Sequence, residues 1–446
     1  MKIIIAGAGE VGYHLARLLA NESKDIYVID NNPERLNYIQ SHIDVFTIEG
    51  DAKSIKVLQD AQVSDCDLLI AATSSEEVNF LVSVLGKKLG AKKTITRFNE
   101  AELTKKEYLN LFYGLGIDTI ISPLDQVANE IVRLVEKPSL TDDVEFENGK
   151  LSVFGVQIED DSPLIGRTIE NSILGECGED FRPIAIHRRN KTSLSNFEVP
   201  IKTRDIIYFI GLTESIAKAM QVCGKKEKTI KRIMILGGSR IGIQTAKKLQ
   251  ENYKVILVEK DPQKSFKLAE NFKGCLVLNI DGRDVVSLEE EGLANMDAFI
   301  AVTGDSETNI MTTLVAKSHD VQKTIARVEN IDYIHLSQDI GIDTLINKKM
   351  IAASSIFKHV RKGKVDAIAH LHGVNAEIIE FEVHEHTKVL GKNIGKLKLN
   401  NLAKVICIVR SDEVIFPCEN DELKSGDKVF VMSLTEGIHK TENYFS

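Results

Sequence analysis

"MKIIIAGAGEVGYHLARLLANESKDIYVID" (residues 1–30) decides the fold. Residues 2–6 form a continuous apolar run, the pattern of a strand buried on both faces. Val11, Leu15, Leu18 and Leu19 then recur at helical spacing over residues 10–20. A second apolar run at 26–29 ends on Asp30. Between the first strand and the helix lies Gly7-x-Gly9-x-x-Gly12. In such a turn the first glycine allows the tight bend, the second lets the backbone approach a pyrophosphate, and the third packs the helix on the sheet. The helix N-terminus presents free N–H groups and a partial positive charge to phosphate. A carboxylate at Asp30 accepts hydrogen bonds from ribose hydroxyls and repels a 2′-phosphate, which favours NAD(H) over NADP(H).

Working outward, Pro33 suits a first helical turn, and further strands fit 44–48, 67–72 and 93–97 with helices between them. Strands alternating with helices predict a doubly wound parallel sheet. The whole pattern then recurs. "KRIMILGGSRIGIQTAKKLQENYKVILVEKD", beginning at Lys231, faces the opening stretch from about 230 residues downstream. "IAATSSEEVNF" (70–80) faces "IAVTGDSETNI" (300–310), "KKTITRFN" (92–99) faces "QKTIARVE" (322–329), and "GLGIDTIIS" (114–122) faces "DIGIDTLIN" (339–347).

The match extends into a second type of unit. "SPLIGRTI" (162–169) resembles "TKVLGKNI" (387–394), "RPIAIHRR" (182–189) resembles "AKVICIVR" (403–410), and "TRDIIYFIGL" (203–212) resembles "SGDKVFVMSL" (425–434). Short alternating runs such as "SVFGVQI" (152–158), bounded by Gly, Pro and Asp, predict a small β-rich module. The expected fold class is α/β: two Rossmann-like domains, 1–138 and 233–362, each followed by a small β-rich lobe, 139–224 and 363–446, with a basic linker at 225–232. Such a repeat is the signature of a duplication and a pseudo-twofold molecule.

The second fingerprint departs from the first. Gly237 and Gly242 remain, Ser239 takes the middle position, Arg240 stands where Glu10 does, and Glu259 supplies the acid. A serine adds a Cβ where a pyrophosphate would pass. Another adenine nucleotide, weaker binding and an empty site all stay open there. Matched polar residues follow the strand ends, where open α/β sheets bind ligands. They are Asp51 and Asp281, Thr73 and Thr303, Arg97 and Arg327, with Glu77, Asn79, Glu307 and Asn309 just beyond. Helix capping and surface ion pairs are the competing explanation for them.

The formal net charge of −9 disfavours non-specific binding to nucleic acid or anionic lipid. No apolar run approaches the ~20 residues of a membrane span, and Met1 leads into a strand without a signal-peptide pattern. Six scattered cysteines read as reduced thiols of a cytosolic protein, with Cys66 and Cys275 buried and inert. His370, His372, His384 and His386 flank a glycine turn and would share a strand face, a metal or pH-sensing constellation with no counterpart in the first half. A solvated hairpin is the simpler reading, and no metal site is expected.

The fingerprint at Met1, "EGDA" (49–52), "AATSSEEVNF", "TITRF" and "SPLIGRTI" together resemble the RCK/KTN family, and the duplicated layout resembles the regulatory subunits of Trk-type potassium uptake systems. The resemblance covers essentially the whole chain. It implies ring-forming lobes, a tetrameric ring or dimer of dimers, that move when nucleotide changes beneath a membrane potassium channel or transporter subunit. It implies a cytoplasmic protein, peripheral on the inner face of the membrane. It places nucleotide contacts on the glycine loop, the acid after the second strand, the Asp after the third and the Arg after the fifth. The candidate set is therefore Gly7, Ala8, Gly9, Glu10, Val11, Gly12, Asp30, Asn31, Gly50, Asp51, Ala52, Thr73 and Arg97 in the first half. In the second half it is Gly237, Gly238, Ser239, Arg240, Ile241, Gly242, Glu259, Asp281, Thr303 and Arg327. NAD(H) is the expected ligand of the first half, with ATP or ADP as alternatives, above all in the second.

No catalytic role is expected. A dehydrogenase follows its cofactor domain with a substrate domain that supplies a proton-transfer group. The small lobes share no suited His, Lys or Cys, and Cys177 and Cys223 have no matched counterparts. The runner-up is an NAD-dependent oxidoreductase with a catalytic residue in the small lobe. A redox-sensing DNA regulator lacks a basic recognition helix. The elements near 123–137 and 350–362 are candidates for helices exchanged between lobes, Pro123 suiting a start and Pro138 a stop.

Overall fold

The computed structural model describes all residues except 21–24, 100–102, 104–105, 170–179, 190, 195–197, 226–228, 331–340, 362–366, 372–373, 375, 398 and 446. The first lobe runs β1 (Lys2–Ala6), α1 (Glu10–Ala20), β2 (Asp25–Asp30), α2 (Pro33–His42), β3 (Phe46–Glu49), α3 (Ile55–Asp60), β4 (Leu68–Ala71), α4 (Glu76–Lys88), β5 (Lys93–Arg97), α5 (Lys106–Gly114), β6 (Thr119–Ile121) and α6 (Pro123–Glu136). The sheet order is β3-β2-β1-β4-β5-β6, and the pairs around β1, β4 and β5 are parallel. Successive side chains of β1 point to opposite faces. Ile3 and Ile5 enter the core beneath α1 and α2, and Ile4 enters the core beneath the other layer, so an unbroken apolar run is what this strand needs. Asn32 starts α2 by accepting from the N–H groups of Glu34 and Arg35, with Pro33 in the first turn.

Two details differ from the sequence expectation. The third strand begins at Phe46, because Ile43 and Val45 are buried as a link packed into the core and supply an apolar signal without pairing. The sheet also has a sixth strand, too short at Thr119–Ile121 to show any periodicity.

The second half repeats this plan with β12 (Arg232–Leu236), β13 (Lys254–Val258), β14 (Cys275–Leu278), β15 (Ala298–Ala301), β16 (Lys323–Arg327) and β17 (Thr344–Ile346), ordered β14-β13-β12-β15-β16-β17. Its helices are α8 (Arg240–Leu249), α9 (Pro262–Asn271), α10 (Val285–Glu290), α11 (Ser306–Ser318) and α12 (Lys348–Arg361). The two Rossmann-like lobes form one compact unit, and within it the closing helix of the second lobe packs into the first. Ala352, Ala353 and Ile356 of α12 are fully buried in the core of the first lobe. Asp125 on α6 pairs with Lys248 on α8 at 3.0 Å, and Gln126 donates to Ser355.

The small lobes form a second unit. The first contains β7 (Asp142–Phe146), β8 (Leu151–Gln157), β9 (Phe181–Arg188), β10 (Lys191–Ser193), β11 (Ile206–Leu212) and α7 (Ile216–Val222). The second contains β18 (Ala367–His370), β19 (Ala376–Glu382), β20 (Ala403–Arg410), β21 (Glu413–Ile415), β22 (Lys428–Leu434) and α13 (Ile438–Phe445). The sheet orders, β7-β8-β11-β9-β10 and β18-β19-β22-β20-β21, are the same antiparallel arrangement. One core joins them: Val153, Tyr208 and Ile210 from the first sheet meet Ile378, Phe430 and Met432 from the second. Each lobe also holds a forked ion pair, Arg188 on Asp205 and Arg410 on Asp427.

Cys66 is buried, and burial pushes its thiol up to about 11. Cys275 departs from expectation: on edge strand β14 it is only half-buried. Cys177 and His372 lie outside the described residues. His370 ends β18, His384 and His386 are exposed in the turn after β19, and no metal-holding group of His, Cys, Asp and Glu occurs among the described residues. Among these residues, too, no helix is long and apolar enough to cross a membrane.

Candidate nucleotide site

A cavity of about 610 Å³ opens at the C-terminal edge of the first sheet, within the range of small-ligand sites. Its floor is the glycine turn, whose three glycines act differently. Gly7 has φ +112°, and a Cβ there would lie 2.9 Å from the backbone nitrogen of Thr73. A Cβ on Gly12 would lie 1.8 Å from the carbonyl oxygen of Gly7, so this glycine is what lets α1 approach β1. A Cβ on Gly9 would meet nothing within 4 Å. Protein packing gives no reason for Gly9; the open space above it does.

Asp30 is buried and accepts from the N–H groups of Ala8, at 2.6 Å, and Asn32, at 2.9 Å. The acid is thus held by the glycine turn and by the start of α2, and faces the cavity. Gly7, Gly9, Glu10, Val11, Asn31, Gly50, Asp51, Ala52, Thr73 and Arg97 line the same space. Ala8 and Gly12 act from behind the lining, through their backbone contacts.

Asn79 and Asn309 do not line the cleft; they brace it. Asn79 is buried, accepts from the N–H and hydroxyl of Thr73, and donates to the carbonyls of Thr73 and Arg97. Asn309 does the same for Thr303 and Arg327. Each ties the ends of two strands that carry candidate residues, and their matched positions reflect that brace. Glu77, exposed at the start of α4, accepts from Ser75 and lies outside the cavity lining.

The far wall comes from the other half. Arg327, Glu329, Lys348 and Lys349 all line this first-half cavity. Lys349 reaches Glu10 at 2.5 Å and Glu329 at 3.1 Å, and Arg327 pairs with Glu329. Burial lowers the Arg97 and Arg327 guanidiniums below the usual arginine range. Burial, and then the guanidiniums of Arg97, Arg327 and Arg240, bring the Lys348 ammonium down to about 8. Arg327 was expected in the second half's site and instead lines the first; Glu329, Lys348, Lys349, Arg35 and Lys53 were not anticipated at all. Glu329 closes the repeat segment 322–329, yet its partner position in the first half is Asn99, so the repeat carries no signal for it.

The second fingerprint keeps the backbone of the first: Gly237 has φ +107°, and a Cβ on Gly242 would lie 2.0 Å from the carbonyl oxygen of Gly237. Its polar groups are spent internally. The Ser239 hydroxyl donates to the Val302 carbonyl at 2.7 Å and accepts from the Gly242 N–H at 3.2 Å, so the helix caps itself where a phosphate would sit. Lys264 bonds Glu259 at 2.6 Å, beside the Asp261 N–H. Burial alone would raise the Glu259 carboxyl, but these partners outweigh it and hold it below the usual range. Arg283 clamps Asp281 and brings it down to about 2. Gly237, Gly238, Ser239, Arg240, Ile241, Gly242, Glu259, Asp281 and Thr303 lie outside the cavity described above.

The TrkA-N domain model matches residues 3–123 and 233–348, and the TrkA-C domain model matches 153–224 and 378–446. The chain is 33% identical to the Trk system potassium uptake protein TrkA of Haemophilus influenzae over 100% of its length and 98% of that protein. It is 32% identical to the protein of the same name from Vibrio alginolyticus, over 96% of this chain and 95% of that one. Among solved structures, the GsuK channel bound to NAD superimposes over 99% of this chain and 78% of its own with a TM-score of 0.62, at 18% identity, a likeness of fold.

Proposed function

The chain belongs to the TrkA family of Trk-system potassium uptake proteins, and from that premise we propose that it is a nucleotide-sensing regulatory subunit, performing no chemistry on its ligand, that gates a Trk-type potassium channel or transporter subunit from the inner face of the membrane. The observation that carries this reading is a cleft built jointly by both Rossmann-like lobes. Gly9 leaves space with no packing reason, Asp30 is held beside it by the Ala8 N–H, and the buried Nε atoms of Arg97 and Arg327 have no hydrogen-bond partner among the described residues. An adenine nucleotide fits these groups: its phosphates accept from the glycine turn and the cationic wall, and its ribose hydroxyls donate to Asp30.

NAD(H), ADP and ATP are the candidate ligands for the first half. The second lobe supplies a wall to the first lobe's cleft through Arg327, Glu329, Lys348 and Lys349, while its own cradle is closed by Ser239 and the Glu259–Lys264 pair. Gating follows by population shift. A nucleotide that prefers one arrangement of the two lobes by about 1.4 kcal/mol shifts their ratio tenfold. Self-association into a tetrameric ring or dimer of dimers would multiply that bias across the assembly.

Reconstitution with the membrane subunit in potassium-loaded vesicles tests this. Flux should depend on both this protein and the nucleotide. Flux indifferent to either, or steady oxidation of NADH by the purified protein, overturns it.

A further inference from the structure

Four cations converge where the two halves meet. Lys348, the first residue of α12, lines the cavity together with Arg97 from β5 and Arg327 from β16, and the charge of Arg240 at the start of α8 acts on it as well. The carboxylates near this wall are shared among its cations: Glu10 pairs with Lys349, Glu329 with both Lys349 and Arg327, and Glu76 at the start of α4 favours the charged form of Arg97. On the opposite side, Asp30 accepts from Ala8 and Asn32, Asp51 pairs with Lys53 at 3.4 Å, and Arg35 adds another cation. Two of the guanidiniums carry buried Nε atoms with no hydrogen-bond partner among the described residues. Releasing the Lys348 proton relieves this crowding in the absence of a ligand, and a polyphosphate relieves it by supplying negative charge.

We propose that polyphosphate capture in this cleft is proton-coupled through Lys348, which takes the terminal phosphates of a nucleoside di- or triphosphate. The proposal rests on the nucleotide reading above and adds what that reading lacks, a residue that counts phosphates and a pH dependence. The linkage has a definite sign. Without ligand the ammonium titrates near 8. A bound polyanion raises that value, so affinity is fully present below about pH 8 and falls as pH rises beyond it, by at most about tenfold per pH unit. AMP, whose one phosphate is used on the glycine turn, feels little of this. Because α12 is packed into the first lobe through Ala352, Ala353 and Ile356, the anion also ties the traded helix to the lobe that holds the nucleotide.

The test is calorimetry on the full chain with ATP, AMP and inorganic tripolyphosphate between pH 7 and 9, in buffers of different ionisation enthalpy. Wild-type protein should take up a substantial fraction of a proton per ATP near pH 8.5. Lys348→Gln should abolish that uptake and weaken ATP by about tenfold at pH 7 while leaving AMP unchanged. Lys348→Arg should keep the ATP affinity and lose its steep decline above pH 8. Proton uptake that survives in Lys348→Gln, or an ATP-to-AMP ratio it does not alter, overturns the proposal. The nucleotide reading fails separately: ATP binding no tighter than tripolyphosphate would show a polyphosphate site without adenosine recognition and leave the role of Lys348 standing. Binding of neither would overturn both.

Discussion

Gly9 and Ser239 occupy the same place at the start of the same helix, after the same strand, and they meet opposite surroundings. Above Gly9 there is open space, while the hydroxyl of Ser239 fills the corresponding position and takes the Gly242 N–H for itself. Asp30 is held by backbone N–H groups alone among its described hydrogen bonds, whereas Glu259 is neutralised by Lys264. Identical backbones can therefore carry one site kept open for an anion and one satisfied by its own chain. The difference lies in which polar groups are left without an internal partner, since a buried polar group is costly until something pairs it.

The largest effects should come from features the two halves share. Asp205 and Asp427 are about 1% exposed, and each is forked by an arginine. Asp205→Ala and Asp427→Ala should each cost about 3 kcal/mol in denaturant unfolding, because an arginine is left beside a buried gap. Burial alone would raise the Asp427 carboxyl, but Arg410 and the Lys424 N–H outweigh it and lower it. Its folded value lies below the unfolded one, so this stability is present above about pH 4 and is lost as pH falls through the folded value. Acid unfolding of wild type with an unshifted midpoint in Asp427→Ala would break this account.

Gly12→Ala and Gly242→Ala come next. Each places a Cβ about 2 Å from a carbonyl oxygen and should cost about 2–3 kcal/mol. Equal losses would confirm that the two fingerprints differ in occupancy and not in packing, and a tolerated Gly242→Ala would say the reverse.

Ligand binding should then separate the halves. Asp30→Ala should weaken ADP by about tenfold or more, and Glu259→Ala by less than about twofold, as read by calorimetry. Gly9→Ala should also weaken ADP while leaving the melting temperature within a degree or two, since its Cβ meets no protein atom. Small and equal effects of Asp30→Ala and Glu259→Ala would erase the ranking of the two sites. Smallest of all, Ser239→Gly should lower stability by only a few tenths of a kcal/mol, the cost of exchanging one acceptable helix cap for another.

Much of the molecule was legible along the chain. The apolar run at 2–6 and the strand expected at 93–97 are strands at those positions, and Pro123 does open a helix that reaches Glu136. The three-residue strand at Thr119–Ile121 and the β7 strand at Asp142–Phe146 went unread: one is too short to show a period, and the other begins with two buried acids that mask its alternation. Asn79 and Asn309 looked like ligand contacts because they recur in both halves, yet recurrence marks a structural brace equally well.

By itself the sequence determined the lobes, their duplication and the first glycine cradle, because periodicity, glycine spacing and the acid after the second strand are local patterns set by backbone sterics and strand burial. Only the tertiary structure decided who completes that cradle. Lys348 and Lys349 reach the first half's cleft because α12 finds its apolar seat on the other lobe, in one core with Leu15 and Leu19, and no spacing in a linear chain records where a helix so far along it will be buried.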